Sequence, residues 1–415
     1  MTENTTCAIV GGGPAGMVLG LLLARAGVEV TVLEKHGDFL RDFRGDTVHP
    51  STMLLLDELG LGERFAALPQ SRFHEAAFPG EGGSRVVVAD FRRLKTPHPY
   101  VAMVPQWDLL NLLAEAGRAE PCFHLRMDTE VTDLVRDSGR VAGVRYRGAD
   151  GTAGELRAEL VVGCDGRWSV VRRQAGLRPR EYPVPMDTWW FRLPRERDDQ
   201  AGALMPSMHK GHFAVVIPRH GYFQIAYLAP KGVDARVRAE GLEAFRERIR
   251  TVLPQFADRV GAIRSLDDVK HLDVRLNRLR RWHVDGALCV GDAAHAMSPV
   301  GGVGINLAVQ DAVAAARLLA GPLRRGRVTA GDLAKVRRRR LLPTVLVQAL
   351  QRFMHRVLVR PTIEGRRDGP PRAAAAVLNR IPGSRAVTAY LIGIGFLPER
   401  APDFARRPGT SAVST

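Results

Sequence analysis

The run Gly11-Gly12-Gly13-Pro14-Ala15-Gly16 is the first place in the chain where residue type and spacing can do chemistry. Gly11, Gly13 and Gly16 fit G-x-G-x-x-G: the first permits a tight turn, the second lets a pyrophosphate approach the backbone, and the third lets a helix pack close to a strand. Pro14 and Ala15 stand in the first helical turn, whose N–H groups and dipole offer partial positive charge to phosphate. Glu34 follows about 20 residues later, where a carboxylate can accept two ribose hydroxyls, and Lys35 beside it joins the same contact set. These residues read as a site for an adenine dinucleotide.

The flanking residues supply the elements that must position them. Cys7 to Val10 is a short apolar run without helical spacing, Pro14 to about Ala26 is an apolar helix closed by Gly27, and Val28 to Leu33 is a second strand ending on Glu34. Two further clusters stand at the ends of buried-strand patterns. Leu160 to Gly163 runs into Cys164-Asp165-Gly166, and Ala287 to Val290 runs into Gly291-Asp292-Ala293-Ala294-His295. After the second comes a loop with Pro299, Gly301, Gly302 and Gly304, then a helix to about Leu319 that opens with Asn306 and Leu307.

At 415 residues, 45% hydrophobic and 25% charged, the chain can bury a sizeable core in two or three domains. The polar start and the lack of a long apolar run predict neither a signal peptide nor a transmembrane segment, so the cytoplasm is the expected location. Four cysteines without C-x-x-C spacing predict neither disulfide nor metal site. The net charge of +16 comes from scattered Arg rather than a binding stripe, which argues against nucleic acid and for attraction of anionic small molecules. The one dense run, Arg337 to Arg340, is expected on a solvated helix face.

Along the chain, the expected division is a dinucleotide-binding domain in three parts (1–72, 97–180 and 272–320). It is interrupted by an excursion (73–96) and a second domain (181–271), and followed by a helical region and frayed tail (321–415). Helices are expected over Pro50 to Leu59 and Asp108 to Ala116, and a β-meander over Val131 to Glu159. In the second domain Thr188 to Leu193, His212 to Ile217 and Tyr222 to Leu228 read as antiparallel strands. Alternation there predicts Tyr222, Gln224 and His212 on one face, with Phe213, Phe223 and Tyr227 on the other. The apolar stretch Val387 to Leu397 is too short to span a bilayer and suits core packing or a homodimer contact.

The three motifs, in this order and spacing, resemble the FAD-dependent class A aromatic monooxygenases with the para-hydroxybenzoate hydroxylase fold, over roughly residues 6 to 320. The resemblance implies an α/β fold: a Rossmann-like FAD-binding domain, an inserted antiparallel β-sheet substrate domain and C-terminal helices. It also implies that Arg44 contacts the FAD pyrophosphate, that Gln106 lies along the cofactor, and that Asp165 and Gly166 serve both FAD and the nicotinamide cofactor. Asp292 would bond the ribityl chain, and Pro299, Gly301, Gly302 and Gly304 would pass along the isoalloxazine ahead of Asn306 and Leu307. His212, Tyr222 and Gln224 are the candidate substrate contacts. His295 is read as a turn anchor, and Arg172 as either an ion-pair partner or a cofactor contact.

No second G-x-G-x-x-G unit is present, so NAD(P)H is expected as a transient co-substrate. The family implies capture of O2 as a flavin C4a-hydroperoxide and insertion of one oxygen atom into an aromatic or related small molecule. A flavin halogenase is the runner-up, because Trp189-Trp190-Phe191-Arg192-Leu193-Pro194 nearly matches W-x-W-x-I-P, with Phe191 in place of the second Trp. A non-catalytic FAD-binding protein is the third reading, separable by NAD(P)H consumption.

Overall fold

The structure is a computed structural model and describes residues 2–408 except 41–46, 80–84, 197, 198, 200–203, 210, 220, 368–380 and 382. Arg44 therefore lies outside the described residues. Strand β1 (Thr2–Val10), helix α1 (Pro14–Arg25) and strand β2 (Val30–Leu33) form the expected first unit. β1 pairs in parallel with β2 on one side and with the long strand Ala153–Gly163 on the other. The sheet continues in parallel to Phe123–Arg126 beyond β2 and to Ala287–Cys289 beyond Ala153–Gly163. Strands covered on both faces read as unbroken apolar runs, which is why Val30–Leu33 is buried at every residue. α1 is apolar nearly all round because it lies between this sheet and the helix Gly304–Arg324. The expected meander is present as Thr129–Asp137, Arg140–Gly148 and Ala153–Gly163.

A second, five-stranded antiparallel sheet has the order Met205–His209, His212–Pro218, Tyr222–Pro230, Met186–Pro194, Lys270–Leu272. The helix Asp234–Val252 covers one face, burying Trp189, Phe191, Ala214, Phe223 and Tyr227 against Phe245 and Ile249. The other face carries Phe213, Ala226 and Leu228, with Trp190 and Val300 packed against it. The expected grouping of side chains is half wrong. Ala214 opposes Tyr227 and Phe213 opposes Leu228, so His212 shares the helix-covered face with Phe223 and Tyr227, while Phe213 joins Tyr222 and Gln224. Alternation orders residues within one strand; only pairing fixes the phase between two strands.

Beyond residue 320 the chain departs furthest from expectation. The helix Ala330–Met354 opens with a Thr329/Asp332 capping box and continues through a π-helical turn, His355–Val359, into Arg360–Ile363. Arg338 and Arg339 are exposed, but Arg340 is only 1% exposed and corrects the reading of the arginine run as a solvated face. Its Nε donates to Asp311 Oδ1 at 2.9 Å, and Asp311 Oδ2 accepts from His295 Nε2 at 2.5 Å and from the Gly291 N–H at 3.2 Å. Glu399 receives two bonds from Arg339, at 2.6 and 2.9 Å. The segment after Pro398 is packed rather than frayed through Pro408: Ala401 and Ala405 join the main core, and Arg25 donates to the Ala405 carbonyl at 2.9 Å. Val387 and Tyr390 are exposed, whereas Ala389 of the helix Ser384–Gly393 clusters with Ala89 and Phe91 of the excursion and with Val101 just after it.

Burial works against charge on Asp311, but His295 and Arg340 outweigh it and hold the carboxyl below the usual carboxylate range. A depressed folded pKa contributes stability that is full above the unfolded value of about 4 and lost as pH falls through the lower folded value. In urea unfolding, Asp311→Asn should lower stability by about 3 kcal/mol at neutral pH, because it takes the hydrogen-bonded countercharge from buried Arg340 and leaves it only Glu399, at 3.7 Å. It should also flatten the fall in stability below about pH 4. An Asp311→Asn stability and acid limb equal to the wild type's would refute this account.

Candidate active site

Gly11 bonds through its N–H to the Leu33 carbonyl at 2.8 Å and takes φ +101°, a left-handed conformation that only glycine adopts without strain. A Cβ on Gly16 would stand 2.0 Å from the Gly11 carbonyl oxygen, so α1 can begin this close to the turn only without a side chain. Gly13 differs: among the described residues nothing lies within 4 Å of the place its Cβ would take. The backbone at the head of α1 therefore faces open space, and Pro14 begins the helix without an N–H to satisfy. Ala15 is buried beneath it. Glu34 is 6% exposed and its Oε2 accepts the Gly12 N–H at 2.9 Å, which ties the end of β2 to the turn. Lys35 is exposed.

Across the sheet, the turns at Asp165–Gly166 and Gly291–Ala293 pack against each other. Asp165 Oδ2 caps the short helix Val170–Gln174, accepting from the N–H groups of Val170 (2.6 Å) and Val171 (3.2 Å). Its buried Oδ1 has no hydrogen-bond partner among the described residues, and burial holds the carboxyl above the usual carboxylate range. Gln106, at the first turn of Gln106–Arg118, likewise keeps a buried Oε1 without a partner there. Asp292 is part-exposed, with Arg167 3.8 Å away. Arg172 is buried and donates to the Ala293 carbonyl at 3.2 Å, so it braces the second turn from behind. His295 is 1% exposed, and its ring lies over Trp282 at 5.0 Å.

The loop from Ser298 to Gly304 follows the second of these turns in the chain. Gly301 and Gly302 take φ +85° and +64°, and a Cβ at Gly302 would meet Thr47 Oγ1 at 2.7 Å. Two donors fix the Gly302 carbonyl, Thr47 Oγ1 at 2.7 Å and His49 Nε2 at 3.0 Å. Burial pulls the His49 pKa down to about 4, so the ring is neutral with its proton on Nε2. Gly304 starts the next helix; there Asn306 Oδ1 accepts from Ser51 (2.8 Å) and Thr52 (2.7 Å), and Leu307 is buried against Leu276 and Met297. Sequence reasoning missed Thr47 and His49. The only available signal was His49-Pro50 at a helix start.

The three candidate substrate residues do not come together. His212 Nδ1 bonds Tyr227 Oη at 2.7 Å on the helix-covered face. Gln224 is 4% exposed and accepts from Arg219 at 3.0 and 3.1 Å, and Tyr222 lies under the Arg192 guanidinium at 4.9 Å.

Residues 4–349 match the family described as FAD binding domain. A 6-methylpretetramide 4-monooxygenase from Streptomyces rimosus is 36% identical over 394 residues, covering 92% of this chain and 91% of that protein. The structure of OxyS anhydrotetracycline hydroxylase, also from Streptomyces rimosus, superposes with a TM-score of 0.74 at 25% identity, covering 96% of this chain and 77% of that one. The flavin-dependent brominase Bmp2 shares the fold at TM-score 0.72 and 16% identity, covering 94% of each chain, so fold alone does not separate oxygenation from halogenation. A Rossmann-like FAD-binding fold with an antiparallel sheet set into it defines a flavoprotein oxidoreductase. The chain belongs to the FAD-dependent class A aromatic monooxygenases.

The two glycines of the turn predict opposite phenotypes. Gly13→Asp should leave the apoprotein's thermal midpoint near wild type, because its Cβ enters open space, yet abolish FAD uptake by setting bulk and negative charge against the pyrophosphate. Gly16→Ala should destabilise the apoprotein by about 3 kcal/mol through overpacking against Gly11. Equal FAD titrations for Gly13→Asp and wild type would overturn the assignment of the turn.

Proposed function

We propose that the chain consumes NAD(P)H and O2 to insert one oxygen atom into an aromatic or related small molecule. The substrate would lie between the sheet face opposite the helix Asp234–Val252 and the loop Ser298–Gly304. The observation that carries this reading is a shared cluster: Val300, in the middle of that loop, packs against the apolar group in which Phe213, Ala226 and Leu228 of that sheet face meet Val274, Leu358 and Ile363. An apolar wall at that place suits a flat ring and keeps water from the reacting atoms.

The residues present fit FAD. The open backbone at Gly13 suits a pyrophosphate, and the unpartnered oxygens of Gln106 and Asp165 are acceptors suited to ribityl or ribose hydroxyls. In this reading Gly11 to Gly16, Glu34 and Lys35 hold the adenosine diphosphate half, with Arg44 added from outside the described residues. Asp292 takes the ribityl chain, and Pro299 to Gly304 with Asn306 and Leu307 border the ring. When bound, FAD supplies the redox chemistry, accepting electrons from NAD(P)H and activating oxygen. The proposed division stands with it: FAD-binding parts 1–72, 97–180 and 272–320, excursion 73–96 and substrate domain 181–271.

The near-match to a halogenase motif has a packing explanation. Phe191 is fully buried on the helix-covered face, edge-on to Phe245 at 5.5 Å, on the side away from Val300. Nicotinamide has no glycine-rich unit of its own here, so flavin reduction is gated by substrate. The 36%-identical relative is named for its action on 6-methylpretetramide, and compounds of that kind are the first to try.

Two measurements test the proposal. Mass analysis under isotopically labelled oxygen without halide should show one labelled atom in the product; product that forms only with chloride or bromide and carries the halogen would reject oxygenation. Anaerobic stopped-flow reduction by NAD(P)H should accelerate about tenfold or more when an accepted aromatic is present. Equal rates with and without every accepted substrate would remove the gating while leaving oxygen insertion intact.

A further inference from the structure

Two buried side chains, Gln351 and His355, bond the start of the loop Ser298–Gly304, and a third, Gln348, bonds the backbone just before it. Gln351, 2% exposed, donates from Nε2 to the carbonyls of Ser298 (2.8 Å) and Val300 (2.9 Å), and its Oε1 accepts the Ser298 N–H at 3.2 Å. One turn earlier, Gln348 donates to the Asn277 carbonyl at 2.7 Å, reaches Ala296 at 3.4 Å and is itself held by Arg278 at 2.9 Å. One turn later, His355 Nε2 lies 2.8 Å from Ser298 Oγ. Burial takes the His355 pKa down to about 4, so the ring is neutral. Positions 348, 351 and 355 share one face of a helix.

A carboxamide removed from water is costly unless its bonds are made, and an apolar side chain of similar volume would fill this core at less expense. Gln351 makes three bonds, all to the backbone of two residues of one loop. That loop has two glycines at positive φ, so outside partners must hold its shape. At His355–Val359 the helix widens into a π turn, a feature that recurs at functional sites. The next residues, Leu358, Val359 and Ile363, join the cluster on the sheet face opposite the helix Asp234–Val252. Gln351 and His355 also lie beyond residue 349, where the match to the FAD binding domain family stops.

We propose that Gln351 and His355 are positioning residues that hold Ser298–Gly304 in its cofactor-ready shape before FAD arrives. The inference rests on the reading in which this loop borders the isoalloxazine. A loop already ordered makes ring docking free of ordering cost, whereas a loosened loop weakens apparent affinity by the fraction of time it is misplaced.

The test titrates FAD into the apoprotein by flavin fluorescence, and records the visible spectrum and midpoint potential of the bound flavin. Gln351→Met should raise the FAD Kd about tenfold or more and shift the flavin bands, since three backbone groups lose their partner. His355→Leu removes the bond to the Ser298 hydroxyl and should weaken FAD about threefold with a band shift of the same sense. His355→Gln, whose carboxamide can reach that hydroxyl, should stay near wild type. If Gln351→Met fails to fold, His355→Leu carries the decision, because Ser298→Ala would also remove the acceptor of the Val300 N–H within the loop. Wild-type affinity, spectrum and potential in the folded variants would overturn the proposal. Gly302→Val separates the two levels, because its side chain collides with Thr47 and distorts the loop directly. If Gly302→Val perturbs FAD while the helix variants do not, the positioning role fails alone; if Gly302→Val is also silent, the placement of the loop beside the ring fails with it.

Discussion

Asp311, a carboxylate with no access to water, joins three parts of the chain that are far apart in sequence. From the helix Gly304–Arg324 it accepts the N–H of Gly291, the imidazole of His295 and the guanidinium of Arg340. An isolated carboxylate there would cost several kcal/mol, and the arrangement is stable only because each oxygen has a charged or N–H partner. The turn that carries Asp292 is thus held by a residue that is itself wholly buried. The same network reaches the C-terminal residues through Arg340 and the Leu397 carbonyl, at 3.2 Å.

Much of the dinucleotide unit was legible because its signals are local. Gly11 and Gly16 meet two different demands of one turn, a positive φ and close packing, and each is visible in residue type; strand, helix and acid follow at fixed spacing. The buried strands Ala153–Gly163 and Ala287–Cys289 were legible for the same reason, as apolar runs ending in turn residues. The faces of the antiparallel sheet were not, because no feature of His212 to Ile217 alone says which of its two phases meets Tyr222 to Leu228. The expected contact set around His212 failed at that point.

The C-terminal helix was illegible for another reason. Its inward face is polar: Arg340, Thr344, Gln348, Gln351 and His355 are all 4% exposed or less. Hydrophobic periodicity assigns such a stripe to solvent, so Arg337 to Arg340 looked like a hydrated surface. What reverses the reading is the partner: the carbonyls of Asn277, Ser298 and Val300 and the N–H of Ser298 face this helix and take their donors and acceptor from Gln348 and Gln351. A helix that faces irregular backbone must be polar there, whereas one that faces a sheet must not. The segment from Pro398 to Pro408 shows the same limit, being held by Glu58 and Arg25 rather than by any periodic pattern of its own.

The bond from Arg25 to the Ala405 carbonyl bears on how the molecule is made. During synthesis α1 is among the first elements to leave the ribosome, yet its last turn is completed by a residue 380 positions later. β1 likewise waits for its parallel neighbour Ala153–Gly163, which waits for Ala287–Cys289. A topology of this kind closes long loops before its contacts repay them, which slows folding and leaves unpaired parallel edges exposed to other chains. The emerging chain therefore holds its glycine turn without the sheet that gives it shape, and cofactor capture belongs to the end of synthesis rather than its start.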